Sequence, residues 1–335
     1  MAPRISLITP SYQQAAYLPE CLRSVAFQEG AVVEHILVDG GSTDGSAAVI
    51  AEHAIQLAWW CSEQDEGQSD AINKGLAHAT GDVFGWLNSD DLLLPGALWR
   101  VSEAFDADPS LLVYGGLITH RYPDGDRPFA LLNDPQDDLQ LFRDPVINQP
   151  ATFYRMDVVK ALGGVDPALL YVMDVELWWQ LLFRHGTAHL RFDAVDLAIF
   201  RFHDESKTVS AHSGFLDELA SLLHGLCLST GSPDLAHVLE LGHTIKGGLR
   251  GIPVDDMHRD VVRGMAVHFL LKWHGQIHNR TDFAMMKAFR RKVSLKGMTL
   301  LNEAMGQRLR ALDEHLAAPT WWAFRVRRKI KHLRR

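Results

Sequence analysis

Cysteine is scarce in this chain, and its spacing argues against two classes of protein. Three cysteines occur among 335 residues, Cys21, Cys61 and Cys227. Their odd number argues against a disulfide framework, and none has the spacing typical of zinc ligands. The sequence therefore predicts buried thiols in a reducing compartment.

Long apolar runs are missing as well. No stretch approaches the roughly 18 apolar residues that a membrane-spanning helix needs. Residues 1–12 lack the basic start and apolar core of a secretory signal. With 47% hydrophobic and 22% charged residues, the composition is that of an ordinary globular protein. These features predict a cytoplasmic protein with one large domain or two smaller ones.

The chain has no broad excess of basic residues, and its strongly basic stretch lies at the C-terminal end. The net charge is −8, but residues 320–335 carry seven Lys and Arg and no acid, which leaves −15 on the rest. Nucleic acid is therefore disfavoured as a general partner. Trp322, Val326, Ile330 and Leu333 fall on one helical face of this tail. The pattern predicts peripheral contact with an anionic membrane, a basic helix packed on the body, or a disordered end.

The hydrophobic pattern divides the chain near residue 212. Up to about residue 115, β-like runs alternate with helical patterns, which is typical of βαβ units and a parallel sheet. The expected strands are residues 5–9, 35–38, 57–60, 83–87 and 111–114. From about residue 214 onward the spacing of apolar residues is helical only, as in Val262, Met265, Phe269 and Trp273. We therefore predict an α/β domain over 1–212 and a helical region over 213–335.

Three polar clusters follow expected strands, at 39–46, 65–70 and 88–91. Ligands of open parallel sheets bind outside the carboxyl ends of the strands, so a shared edge predicts a binding site. The glycines of 39–46 also suit a tight turn that caps the next helix. The cluster lacks the Gly-x-Gly-x-x-Gly order of a dinucleotide site, which disfavours a dehydrogenase.

The turn 88–91 contains two adjacent acids, Asp90 and Asp91. Neighbouring carboxylates are costly unless a cation neutralises them or water solvates both. Mg²⁺ and Mn²⁺ take one or two carboxylates and fill their other positions with phosphate oxygens and water. The turn therefore predicts a divalent metal site; the alternative is a solvated turn that caps a helix over 92–99.

Several stretches, in order, resemble glycosyltransferase family 2. They are SLITPSYQQAAYLPECLRSV, ILVDGGSTDGS, DEGQSDAINKG, FGWLNSDDLLLPGAL, NQPATFYR, GGVDPALLYVMDVELW and FRFHDESKT. The resemblance covers about residues 1–210 and ends at the helical region. It implies an inverting enzyme that uses nucleotide-diphosphate sugars. It also implies the GT-A fold, a Rossmann-like, mostly parallel sheet flanked by helices.

The resemblance further implies roles for matching residues on the donor side. The nucleotide side is expected to include Thr9, Pro10, Tyr12, Asp39, Asp65, Asn73, Lys74, Asp90 and Lys207. Asp91, Asp90 and His203 are expected to hold Mn²⁺ or Mg²⁺, although Asn88 stands where the family commonly has an acid. A histidine such as His203 can equally be structural.

On the acceptor side the resemblance implies Asp174 as the general base that takes the proton of the attacking hydroxyl. Asp174 could also cap a helix over 175–183. Gln149, Trp86, Glu176 and Trp178 are expected near the transferred sugar or the acceptor. For each of them burial in the core, or for Glu176 a place in solvent, is the alternative.

Together these features predict a metal-dependent, inverting glycosyltransferase of cell-surface polysaccharide biosynthesis. Its partners would be a nucleotide-diphosphate sugar and a glycan or polyprenyl-linked acceptor, at the inner face of the plasma membrane. The rival hypothesis is a catalytically silent nucleotide-sugar-binding scaffold. A nucleotidyltransferase would show a basic Gly-rich phosphate loop, which residues 11–14 do not form. Donor, acceptor and linkage are not indicated, because a fold does not specify substrates.

Overall fold

The computed structural model describes residues 2–203, 212–295 and 303–333. The chain divides into two compact units. The first, which we call the α/β unit, comprises Met1–Leu141 and Pro145–His212. The second, the helical unit, comprises Phe142–Asp144 and Ser213–Arg335.

One sheet of nine strands organises the α/β unit. Its order is β3-β2-β1-β4-β8-β6-β9-β5, and β7 pairs with β6. The strands are β1 (Arg4–Ser11), β2 (Val32–Asp39), β3 (Trp59–Ser62), β4 (Val83–Trp86), β5 (Leu92–Leu93), β6 (Val113–Tyr122), β7 (Gly125–Phe129), β8 (Thr152–Arg155) and β9 (Leu190–Arg201).

The parallel sheet predicted from the sequence forms one half of the observed sheet. Strands β3, β2, β1 and β4 are parallel neighbours. Ser11 lies opposite Asp39, and Asp39 opposite Ser62, so three strand ends meet at one edge. Beyond β4 the sheet is mixed, because β8 runs antiparallel to both β4 and β6. The α/β class is confirmed, and "mostly parallel" is correct for the first half.

Seven α-helices accompany the sheet in the part of the chain that the structure describes. They are α1 (Leu18–Ala26), α2 (Ser46–His53), α3 (Gln68–His78), α4 (Ala97–Ala107), α5 (Asp138–Arg143), α6 (Met156–Leu162) and α7 (Met173–His185). Helix α4 buries Leu98, Val101 and Phe105, spaced by three and four residues, in the main core cluster. The alternative of a helix over 92–99 is wrong: Leu92 and Leu93 form β5, and the helix begins at Ala97.

The described part of the helical unit contains α8 (His212–Ser229), α9 (Pro233–Glu240), α10 (Arg259–Trp273), α11 (Arg280–Lys292), α12 (Glu303–Leu316) and α13 (Trp321–Leu333). The expected apolar face of α10 is confirmed, since Val262, Met265 and Phe269 are all buried. Among the described residues, no helix combines the length and apolar character needed to cross a bilayer.

Candidate active site at the carboxyl edge of the sheet

The loops after β1 and β2 are hydrogen-bonded to each other. The backbone N–H of Gln13 donates to Ser42 Oγ (2.7 Å), and that of Ala15 donates to Asp44 Oδ2 (2.9 Å). Gln13 adopts a left-handed conformation, with φ of 56°, to make this connection. The two loops therefore form one continuous rim at the carboxyl edge of the parallel strands.

Asp39 lies beneath this rim and is fully buried. Its carboxylate accepts hydrogen bonds from Ser42 N (3.0 Å), Ser42 Oγ (2.5 Å) and Ser62 Oγ (2.7 Å). These bonds fix the turn after β2, which is the structural role considered for this cluster. Contact between Asp39 and a nucleobase stays a prediction, and it would compete with these bonds.

Asp65 lies against the same turn. A Cβ on Gly40 would stand 2.9 Å from Asp65 Oδ2, so only glycine fits there without displacing that side chain. Asp65 Oδ1 accepts a hydrogen bond from Gly67 N (2.9 Å). Burial, with the nearby Asp70 and Asp39 carboxylates, raises the pKa of Asp65. The structure thus brings the first two polar clusters together, as their shared edge predicted.

Two residues expected on the donor side also belong to the framework. Thr9 is fully buried, and its Oγ1 lies 2.9 Å from His35 Nε2. The Asn73 amide donates to Val165 O (2.8 Å) and accepts from Val165 N (3.0 Å). These contacts give both side chains a structural role, and their expected places on the donor side stay predictions. Short polar side chains that bond to a distant backbone cannot be told from ligand-binding ones by type alone.

The other donor-side residues have different surroundings. Pro10 is buried within β1, whereas Tyr12 at its end is 61% exposed and can offer its ring to a ligand. Lys74 lies on the surface beside Asp70, with 3.3 Å between Nζ and Oδ2. Lys207 lies outside the described residues. Of this group, Tyr12 is the best placed for a nucleobase or ribose.

The turn 88–91 meets the end of β9. Strand β5 directly follows the turn and pairs with β9, Leu92 facing Ile199, which carries the turn to residues 201–203. There Asp90 Oδ2 lies 3.0 Å from His203 Nε2. Asp91 Oδ1 accepts a hydrogen bond from Arg201 N (3.0 Å). Residues more than 100 positions apart in the chain therefore form one cluster.

Among the residues that the structure describes, acidic side chains outnumber basic ones in this cluster. Asp91 is 1% exposed, and burial together with the neighbouring Asp90 carboxylate raises its pKa well above the ordinary value. The Arg201 guanidinium pairs with Glu20 and lies 5.5 Å above the Tyr17 ring. Among the described residues, two adjacent carboxylates thus lie at the sheet edge, and the imidazole of His203 contacts the Asp90 carboxylate. A cation would relieve this imbalance, and oxygen and imidazole donors suit Mn²⁺ or Mg²⁺.

Asn88 is the centre of a chain of amides. Gln68 Nε2 donates to Asn88 Oδ1 (2.7 Å), Asn88 Nδ2 donates to Gln149 Oε1 (3.1 Å), and Gln149 Nε2 donates to Trp86 O (2.6 Å). A carboxylate at position 88 could not donate the second of these bonds. The amide at this position therefore has a structural reason. Only its place in the second polar cluster pointed to Gln68 at the level of sequence.

Asp174 lies inside the first turn of α7, which begins at Met173, so it is not the N-cap that was considered as an alternative. Its Oδ1 accepts a hydrogen bond from Val175 N (2.8 Å). Burial raises the pKa of Asp174 to about 6. Burial and the Asp174 charge also raise the pKa of Tyr154, whose ring stacks on Trp86. These contacts link Asp174 to the end of β4.

Three residues expected to meet the acceptor are in the core. Trp178 is fully buried, and its indole N–H donates to Leu141 O (2.8 Å). Glu176 is fully buried and accepts a hydrogen bond from Gln180 (2.9 Å). Trp86 is 2% exposed. This burial agrees with the alternative of a place in the core, and contact of these three residues with the acceptor or sugar stays a prediction, as it does for Gln149, half-buried beside Asn88.

Comparison with known proteins agrees with this geometry. Residues 6–163 match the model of glycosyl transferase family 2. An uncharacterised glycosyltransferase of Mycobacterium tuberculosis is 32% identical over 172 residues, covering 49% of this chain and 63% of that protein. A PGL/p-HBAD biosynthesis glycosyltransferase of Mycobacterium bovis is 38% identical over 122 residues, covering 35% of this chain and 48% of that protein. The chain thus matches less than two thirds of the length of either relative.

Solved structures share the fold. Staphylococcus aureus TarS has a TM-score of 0.58 at 14% identity, covering 94% of this chain and 54% of that one. The mannosyltransferase PcManGT of Pyrobaculum calidifontis, solved with GDP-Man and Mn²⁺, has a TM-score of 0.53 at 17% identity, covering 95% and 88%. The α/β unit therefore has the glycosyltransferase GT-A fold. Together with the sequence matches, this fold supports a glycosyltransferase of family 2.

Proposed function

We propose that this chain is a metal-dependent, inverting glycosyltransferase that moves a sugar from a nucleotide-diphosphate sugar to a hydroxyl group. The proposal is carried by one observation: Asp90 meets His203 beside the buried Asp91 at the carboxyl edge of the sheet. In the described part of the chain, this cluster has more acidic than basic side chains. A nucleotide diphosphate brought with a divalent cation would complete it.

Asp90, Asp91 and His203 are the residues proposed to hold Mn²⁺ or Mg²⁺. Such an ion, when bound, offsets the charge that develops on the departing diphosphate. No group of three or more His, Cys, Asp and Glu side chains in the described part of the chain could hold an ion by itself. The proposal therefore gives phosphate oxygens and water the remaining positions, as hard cations in such sites usually have. PcManGT, solved with GDP-Man and Mn²⁺, supports this choice by analogy.

Asp174 is the proposed base. With its pKa raised to about 6, its carboxylate is mostly ionised at neutral pH and still basic enough to accept a proton from a hydroxyl in the transition state. The bond from Val175 N orients Oδ1 and leaves Oδ2 for the acceptor. Inversion follows if that hydroxyl attacks from the face opposite the diphosphate. Gln149, fixed between Asn88 and the Trp86 carbonyl, is proposed to border the sugar.

For the acceptor we propose a glycan or a polyprenyl-linked sugar of cell-surface polysaccharide assembly. The M. bovis relative is named for PGL/p-HBAD biosynthesis, and the TarS 1–349 structure was solved with UDP-GlcNAc. A lipid-linked acceptor requires access to a membrane, and we propose that residues 320–335 give peripheral contact with an anionic one.

A thermal-shift panel of nucleotide-diphosphate sugars, each with and without Mn²⁺, tests the proposal. We expect at least one donor to raise the melting temperature only when metal is present, because binding to the native state alone stabilises it. The matched control is the same donor with Asp91→Ala protein, in which the shift should vanish. Shifts without any sugar transfer or donor hydrolysis would favour the silent scaffold. If no nucleotide diphosphate shifts the melting temperature under any metal, the proposed function is wrong.

A further inference from the structure

Helix α13 packs within the helical unit by a face that the sequence did not single out. Phe324 is 4% exposed, with its ring 5.9 Å from that of Phe283 and 5.4 Å from that of Trp321. Trp322 and Val326, from the expected apolar face, are 72% and 56% exposed. Helix α13 therefore packs through one face and leaves a second apolar strip, with Trp322 and Val326, exposed to solvent.

A groove of about 660 Å³ lies between α13 and the start of α11. Asn279 caps α11 by accepting a hydrogen bond from Asp282 N (2.8 Å), so the positive end of this helix opens at the groove. Arg328 is held at the groove by a bond from its guanidinium to Ile277 O (3.1 Å). These contacts give the groove fixed walls from two helices.

The lining of the groove is cationic and aromatic. Four cations line it, and no acid does so among the described residues; the cations are Arg280, Arg325, Arg328 and Lys329. The Arg325 guanidinium lies 5.8 Å from the centre of the exposed Trp322 ring. A set of cations without a partner acid is suited to an anion, and arginine suits phosphate in particular.

We propose that this groove binds the phosphate headgroup of an anionic lipid while Trp322 and Val326 enter the bilayer interface. A free phosphate ion would explain the cations but not the exposed apolar strip beside them. Tryptophan next to cations is the pattern of surfaces that lie at the membrane–water boundary. The inference deepens the proposed membrane contact: it gives that contact a defined site and includes Arg280, which lies outside the basic tail.

Arg327 provides a matched control. It lies on the same helix and is exposed, but it does not line the groove. If the tail acted only as a run of positive charge, Arg327→Gln, within the tail, would weaken vesicle binding at least as much as Arg280→Gln, outside it. If the groove holds the headgroup, vesicle binding should weaken when a groove-lining cation such as Arg280 is replaced. Replacement of Arg327, which does not line the groove, should have little effect.

The test is co-sedimentation of the full chain with phosphatidylglycerol or phosphatidylcholine vesicles, without nucleotide or metal. We expect binding to phosphatidylglycerol, and Arg280→Gln to weaken it about fivefold, as removal of one cation near an anionic surface does. Arg327→Gln should change it less than twofold, and Trp322→Ala should weaken it without affecting melting. Inorganic phosphate should not compete.

Equal losses in Arg280→Gln and Arg327→Gln would overturn the proposal, as would equal binding to both lipids. Competition by inorganic phosphate would make the groove a site for free anions and would overturn it too. Melting temperatures of the variants exclude misfolding as the cause. Since the assay contains neither donor nor metal, its failure leaves donor binding untouched, and a failure of donor binding leaves this result standing.

Discussion

Histidine meets carboxylate in both units of the molecule, but in different proportions. In the helical unit, His243 Nδ1 lies 2.9 Å from Asp217 Oδ1, and His274 Nδ1 lies 2.8 Å from Asp282 Oδ1. The Nε2 atoms of the two rings are 3.0 Å apart. Each histidine therefore has its own carboxylate. Although burial acts to raise it, the hydrogen bond from His274 brings the pKa of Asp282 below its ordinary value.

At the sheet edge of the α/β unit, Asp90 contacts His203, whereas its neighbour Asp91 accepts a hydrogen bond from Arg201 N; burial, with the Asp90 charge, raises the pKa of Asp91. Asp282, which accepts a hydrogen bond from a histidine, thus has a lowered pKa, whereas Asp91, buried beside a second carboxylate, has a raised one; burial and neighbouring charges both differ between the two sites. A cluster that balances its own charge contributes to the framework. A cluster that does not is suited to bind a cation from outside, which is the basis of the proposed function.

The largest effect is expected at Asp174, a carboxylate for which the structure records no histidine contact. Asp174→Asn should lower the rate of sugar transfer by about 10³-fold, because general-base catalysis contributes on that order. Donor binding, measured by thermal shift, should be unchanged. The control is Asp157→Asn: Asp157 lies in the first turn of α6 and makes the same bond to the next residue, Val158 N (2.8 Å), but is exposed. Equal rates in both variants would contradict the role of Asp174.

Breaking the balanced cluster should destabilise the protein. Asp282→Ala leaves His274 buried without its carboxylate, which should cost about 3 kcal/mol of the free energy of unfolding. Asp313→Ala, which removes an exposed pair with Arg290, should cost less than about 1 kcal/mol. Denaturant titration with a helix-sensitive signal measures both. Similar losses of stability in the two variants would show that the buried Asp282–His274 pair stabilises the protein no more than an exposed ion pair.

The pH dependence of the transfer rate should report the ionisation of Asp174. Because the base must be ionised and the pKa of Asp174 is raised to about 6, kcat should fall as pH decreases through 6 and should level off above it. The slope below the midpoint should approach tenfold per pH unit. Asp157→Asn should keep this profile. A profile that is flat from neutral pH down to the ordinary range of aspartate would contradict the assignment.

The smallest expected effect is a change in the free energy of unfolding that has opposite signs in the two clusters. In the metal-free protein, Asp90→Asn removes one of two adjacent charges and should raise the free energy of unfolding by about 1 kcal/mol. Asp282→Ala should lower it. Calorimetric melting in the presence of a chelator compares them. Destabilisation by Asp90→Asn would mean that the edge cluster is balanced in the free protein.

The regular strands could be predicted because their signal is local. Strands β1 and β4 are almost wholly buried, β2 is buried over its last five residues, and the expected strand at 57–60 begins two residues later, at Trp59. The two-residue strand β5 could not be predicted, since it exists only through its partner β9. The same pairing brings Asp90 to His203, so the resemblance, and not periodicity, indicated that contact.

Side-chain roles were predicted less well, because burial depends on tertiary packing. Trp178 looked like a possible platform for a sugar and is in the core, and Asn73 joins two backbone segments. The Asp217–His243 and His274–Asp282 pairs have no spacing that would identify them. They form because residues from separate helices and a loop meet in the helical unit, which no single stretch of sequence records.

The most direct test of the central claim is Mn²⁺ binding, measured by electron paramagnetic resonance in the presence of a nucleoside diphosphate. The chain should bind one ion; Asp90→Asn combined with Asp91→Asn should abolish binding, and Asp217→Asn, from the balanced cluster, should retain it. Undiminished Mn²⁺ binding by the double variant, or equal loss in the control, would contradict the claim that the unbalanced carboxylates of the sheet edge form the metal site.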